Sequence, residues 1–211
     1  MNPKSEFDVV GKAQELSGKE QEIVILFVDL RNFTKLSENT LPYDVVYILN
    51  KYYASCGQVI EANGGRLDKF IGDGIMAIFE AENIIEQNCG NAVKAASEIS
   101  RKIKGLSDEL YQEFSVEFKC GMDIHTGQSI VGMMGYGEAI SRTAIGDNVN
   151  VASRLEQMTK TYNSELIISK LVAEKAALDS SKFSQESVEV RGRNEKLDIV
   201  SIMDASDLQF N

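Results

Sequence analysis

The clearest apolar run in the chain is EIVILFVDL, residues 22–30, almost unbroken and rich in β-branched side chains. That pattern predicts a strand buried on both faces and ending at Asp29. The polar stretch RNFTKLSENTLP follows as a connection with room for a helical turn. Pro42 then opens a long helix whose Val45, Leu49, Tyr52, Cys56 and Val59 recur at helical spacing, and the NGG at 63–65 ends it. RLDKFIG and GIMAIFE read as a hairpin around the tight Gly72-Asp73-Gly74 turn.

Residues 83–105 predict a second long helix, and VEFKCGMDIHTG with QSIVGMMG predict a second hairpin with His125 in its turn. Downstream, NVNVASRLEQMT and KLVAEKAAL read as helices, and ELIIS, SVEVRGR and KLDIVSIM as strands. Long helices interleaved with hairpins imply one α+β or α/β domain, a mostly antiparallel central sheet with flanking helices. Residues 1–19 are polar and aperiodic and read as a lead-in or linker stub, 20–205 as the domain, and 206–211 as a C-terminal tail.

The net charge of −10 disfavours a nucleic-acid groove, which needs a basic surface. It still allows one small polyanion, provided metal ions and a few local cations supply the positive field. Three widely spaced cysteines, Cys56, Cys89 and Cys120, form neither a disulfide framework nor a CxxC site, which points to a reducing cytoplasmic setting. No apolar run is long enough to span a bilayer, so direct membrane insertion by this chain is not expected.

Asp29 at a strand end and Asp73 in a hairpin turn emerge at one sheet edge if that strand and hairpin are neighbours. Two unpaired carboxylates so placed repel. Divalent cations remove the conflict, and Mg²⁺ suits hard carboxylate oxygens completed by substrate phosphates. Taken alone, Gly-Asp-Gly is simply a good turn, and Asp29 is as readily a cap as a ligand.

Together, FVDLRNFT, DKFIGDGIMAIF and TAIGDNVNVASRLE resemble the catalytic domain of the class III nucleotidyl cyclases, across residues 20–204. The resemblance implies a palm-type, ferredoxin-like cyclase fold and a head-to-tail homodimer binding ATP at its interface. It implies two Mg²⁺ per site, with Mn²⁺ as a substitute, held by Asp29, Asp73 and the backbone carbonyl of Leu30. Lys69 and Thr143 fall at the base-reading positions, where lysine resembles adenylyl rather than guanylyl cyclases. Threonine resembles a bacterial subgroup that uses ATP. A hydroxyl accepts from the adenine amine but also donates, so by itself it discriminates less sharply.

Asn150 and Arg154 match the residues that hold the ribose and the reacting phosphate. Arg191 matches a triphosphate-gripping lysine in a strand entry where Asn194 replaces a glycine, with Arg193 as a substitute. Backbone N–H groups of Asn32, Phe33 and Thr34 are expected at the phosphates, and His125 is expected to be structural. The implied activity is adenylyl cyclase, ATP to cyclic AMP and pyrophosphate. The alternatives are a guanylyl cyclase and an inactive cyclase-like sensing or dimerising module. An upstream regulatory domain is a further expectation.

Overall fold

The computed structural model describes residues 18–80, 84–193 and 195–210. The expected lead-in up to residue 17 and Asn194 therefore lie outside the described residues. The first strand, β1 (Lys19–Leu30), crosses the centre of the sheet. Its even-numbered Val24, Leu26, Val28 and Leu30 pack into the main core, while Ile23, Ile25 and Phe27 pack into a second cluster. This is the two-sided burial that the unbroken apolar run predicts.

After β1 come α1 (Phe33–Asn39), α2 (Pro42–Ala62), β2 (Arg66–Ile71) and β3 (Gly74–Phe79). Next are α3 (Ile85–Phe114), β4 (Cys120–Met134), β5 (Ser141–Ile145) and α4 (Asp147–Thr161). The chain ends through β6 (Leu166–Ser169), α5 (Lys170–Lys175), β7 (Ser184–Val188) and β8 (Leu197–Ile202). The strands form one eight-stranded sheet in the order β2-β3-β1-β4-β6-β8-β7, with β5 added to β4. Among the described residues only β4 and β6 run parallel; the other pairs are antiparallel. Tyr52, Cys56 and Ile60 of α2 and Ile99 and Ile103 of α3 cover one face of the sheet. On the other face lies α4, with Ala152 in the second cluster and Val151 and Leu155 in a third.

The expected second hairpin is instead one continuous strand. β4 runs through Gly127 without turning, and its hairpin partner is β5, beyond residue 134. Gly127 is there for space: a Cβ would come within 2.4–2.6 Å of the Asn148 side chain. His125 accordingly sits in a strand, not in a turn. α3 also runs past 105, because Ile99, Ile103, Leu106 and Leu110 keep one buried stripe. α5 is shorter than KLVAEKAAL suggests, ending before Ala177, which has a positive φ of 52°.

Candidate active site

β1 and β3 are antiparallel neighbours, paired from Val24–Phe79 to Val28–Ile75, so the end of β1 and the β2–β3 turn share an edge. This juxtaposes Asp29 and Asp73. Burial, then the charge of Asp29, holds the Asp73 carboxyl above the usual range, partly offset by backbone N–H groups of Asp73 and Leu30. A Cβ on Gly74 would stand 3.5 Å from Asp29 Oδ1 and 3.1 Å from the Ile71 carbonyl, so glycine keeps the approach to the carboxylate open. Among the described residues no group of three or more His, Cys, Asp or Glu side chains gathers as a metal cage. Two half-buried, mutually repelling carboxylates at one sheet edge fit Mg²⁺, which fills its other positions with water and phosphate oxygens.

Leu30 closes β1, opposite Cys120 of β4. Asn32 follows in the left-handed region at φ 58° and caps α1 without a side-chain hydrogen bond. The first-turn N–H groups of Phe33 and Thr34 have no partner within the helix.

Lys69 and Thr143 come from different strands yet meet at one carboxylate. Thr143 Oγ1 donates to Asp68 Oδ2 at 2.6 Å, and the Lys69 ammonium is 3.3 Å from the same oxygen. The Asp68 side chain is fully buried, and Arg66 approaches its other oxygen at 3.3 Å. Glu80 then holds Arg66 at 3.0 Å and also pairs with Arg142.

Asn150 and Arg154 lie on α4, four residues apart and so on one face. Arg154 donates to the Arg191 carbonyl, which brings the 190–193 loop to this helix. The Arg191 side chain is exposed. Arg193 is engaged elsewhere, 2.9 Å from Asp147 Oδ2 and 3.1 Å from Asn148 Oδ1. That engagement makes Arg193 a clamp for the 190–193 loop.

His125 is buried against Asn148 at the start of α4. Its Nε2 is 3.1 Å from Asn148 Oδ1, while Asn148 Nδ2 donates to the Gln128 carbonyl at 2.7 Å. Burial above all, with Arg193 nearby, lowers its pKa to about 4, so the ring is neutral at pH 7.

Several residues around these groups carry no motif signal. The Lys160 ammonium is 3.4 Å from Asp29 Oδ2. Glu156, behind the acidic pair, is pushed up to about 7 by burial and then by Asp29. Asp123 faces it from β4, wholly buried, and burial followed by Glu156 raises it far above the carboxylate range. Arg31 braces this end of α4, donating to Thr159 and, at 3.1 Å, to the Ser164 carbonyl. Asp68 had the best chance of detection, as the neighbour of Lys69. Regular alternation puts strand neighbours on opposite faces, but the register of β2 shifts between Leu67 and Lys69 and breaks that rule.

The family model described as the adenylate and guanylate cyclase catalytic domain matches residues 16–203. A terminal-differentiation-specific adenylate cyclase of Dictyostelium discoideum is 38% identical over 187 residues, 87% of this chain and 9% of that protein. An adenylate cyclase of Anabaena cylindrica is 33% identical over 189 residues, 86% of this chain and 37% of that protein. The chain thus spans well under half the length of these curated relatives. The crystal structure of the guanylyl cyclase Cya2 superposes with a TM-score of 0.79 at 28% identity, covering 88% of this chain and 93% of that one. With the site geometry, these matches make the chain a member of the adenylate and guanylate cyclase catalytic domain family.

Proposed function

We propose that residues 20–205 form an adenylyl cyclase domain that converts ATP to 3′,5′-cyclic AMP and pyrophosphate, at sites shared between two copies of the chain. The observation that carries this reading is the convergence of Lys69 and Thr143 on one buried carboxylate, a donor and a hydroxyl side by side. Adenine offers an N1 acceptor to Lys69 and an N6 amine to the Thr143 oxygen.

Asp29, Asp73 and the Leu30 carbonyl of one copy would hold two Mg²⁺, or Mn²⁺ in their place. Bound metal supplies Lewis acidity toward the ribose 3′-hydroxyl and neutralises triphosphate charge. From the partner copy, Asn150 orients the ribose so that the 3′-oxygen faces the α-phosphorus. As the 3′-oxygen gives up its proton to solvent, bonds to the α-phosphorus and displaces pyrophosphate, Arg154 and Arg191 stabilise the spreading negative charge. Backbone N–H groups of Asn32, Phe33 and Thr34 hold phosphate oxygens at the start of α1. Positioning and electrostatics supply most of the rate.

A homodimer under twofold symmetry builds two such sites. We place the domain in the cytoplasm, where ATP is available; among the described residues no helix is long and apolar enough to cross a membrane. An upstream regulatory domain fits the small share of the curated relatives that the chain spans.

The test is the purified chain with ATP or GTP and Mg²⁺ or Mn²⁺, analysed for cyclic product. Cyclic AMP from ATP supports the reading. Cyclic GMP as the main product supports a guanylyl cyclase, the second reading, which the likeness to Cya2 keeps open. No cyclic product from either nucleotide leaves an inactive cyclase-like module.

A further inference from the structure

The base-reading pair raises a problem that its residue types do not solve. A threonine hydroxyl both donates and accepts, so it can meet the 6-amino group of adenine or the 6-oxo group of guanine. Lysine only donates. An adenine pocket needs one donor, facing N1, and one acceptor, facing N6; Thr143 must somehow be restricted to accepting.

The surroundings of Asp68 supply the restriction. Its side chain has no exposure to solvent. Its Oδ1 faces the Arg66 guanidinium at 3.3 Å, and Arg66 is itself fixed by Glu80 at 3.0 Å and by the Arg142 carbonyl at 3.0 Å. That leaves Oδ2 for Thr143, at 2.6 Å, and for the Lys69 ammonium, at 3.3 Å. A carboxylate only accepts, so Thr143 spends its one proton on Asp68 and keeps lone pairs alone for a ligand. Lys69 has three protons, so leaning on Asp68 still leaves it donors for a base.

Resting on the adenylyl cyclase reading above, we infer that Asp68 is a specificity-determining residue, a buried carboxylate that fixes the Thr143 hydroxyl as an acceptor and the Lys69 ammonium beside it as a donor. The pair then presents the complement of the adenine edge. Guanine meets a donor with its N1–H and an acceptor with its 6-oxo group, two mismatches at once. Asp68 is a positioning residue: it acts through Lys69 and Thr143 and touches no substrate itself.

The experiment measures kcat/KM for ATP and for GTP with wild type, Asp68→Asn, Thr143→Val and the double variant, alongside thermal melting. The Asn amide can turn its NH₂ toward Thr143 and free the hydroxyl proton to meet guanine. The expected result is a roughly tenfold or larger fall in the ATP:GTP ratio for Asp68→Asn, with no further fall when it is added to Thr143→Val. Thr143→Ser, which keeps the hydroxyl, should hold the wild-type ratio. An equal loss of both nucleotides in Asp68→Asn, or an unchanged ratio in Thr143→Val, overturns the inference. Where Asp68→Asn does not fold, Asp68→Ser, which offers Thr143 a donor as well as an acceptor, tests the same point, and an unchanged ATP:GTP ratio there overturns the inference. Cyclic AMP formation by wild type with an unmoved ratio removes this inference alone; a wild type that cyclises neither nucleotide removes the function reading as well.

Discussion

The Lys160 ammonium stands 3.4 Å from Oδ2 of Asp29, reaching from the last turn of α4 to the end of β1. A side-chain cation therefore leans on a carboxylate assigned to metal. The lysine is about half exposed, so its attraction for Asp29 is weak, while its repulsion of an incoming Mg²⁺ acts in the same small space. Lys160→Met is expected to lower the half-saturating Mg²⁺ concentration by roughly two- to fivefold with an unchanged melting temperature. An initial-rate Mg²⁺ titration checks this. A rise in the metal requirement would instead assign Lys160 to the triphosphate.

Behind the same edge, Glu156 gives the fold a pH signature. Its folded-state pKa is near 7 against an ordinary 4.5, with burial the main cause and the Asp29 charge next. A carboxyl with a raised folded pKa stabilises the fold fully below its unfolded pKa. That stability is lost as pH rises from about 4.5 through about 7. Glu156→Gln cannot ionise, so it should melt close to wild type at pH 5 and several degrees higher at pH 8, a gain on the order of 2 kcal/mol. Calorimetry at the two pH values reads the difference directly. An equal shift at both would mean that the carboxylate is already charged in the fold.

How much of this was readable beforehand depended on which interactions were local. β1, α2 and the β2–β3 hairpin follow from periodicity and turn chemistry within each segment, and their bounds agree closely with the pattern. The pattern around β4 suggests a turn where there is none, because Gly127 carries the same letter whether it makes a turn or makes room. The reason for it, the Asn148 side chain, is 21 positions away and arrives only when α4 packs on the sheet. The candidate site divides the same way. Asp29, Lys69, Asp73, Asn150 and Arg154 were visible through the family blocks. Asp68, Glu156, Asp123 and Lys160 acquire their environments only from strand register and helix packing.

That account of Gly127 has a direct test. Gly127→Ala would place a methyl 2.4–2.6 Å from the Asn148 amide, which itself holds the Gln128 carbonyl and Arg193. The expected cost is ~2–3 kcal/mol, the upper part of the usual penalty for overpacking, seen as a lower denaturation midpoint. Gly72→Ala is the contrasting case: nothing lies within 4 Å of its Cβ, and only its φ of +61° resists a side chain. It should cost about 1 kcal/mol. If the two variants melted alike, close packing would not be what distinguishes Gly127.

The shared-site reading makes the strongest demand on the molecule. Arg154 and Lys160 belong to one helix, six residues or about 9 Å of rise apart. Lys160 is the residue that reaches Asp29, while Arg154 spends a donor on the Arg191 carbonyl. The proposed site takes the acidic pair from one copy and Arg154 from the other. Asp73→Ala and Arg154→Ala should each cut turnover a hundredfold or more, on the order of 3 kcal/mol in the barrier. Mixed in equal amounts, half of the dimers carry one of each chain, and each of those has one intact site. Activity should then recover to about a quarter of the wild-type rate once the chains exchange. Co-purification of differently tagged chains would confirm mixed dimers; mixed dimers without recovery would mean that both residues serve the same copy's site.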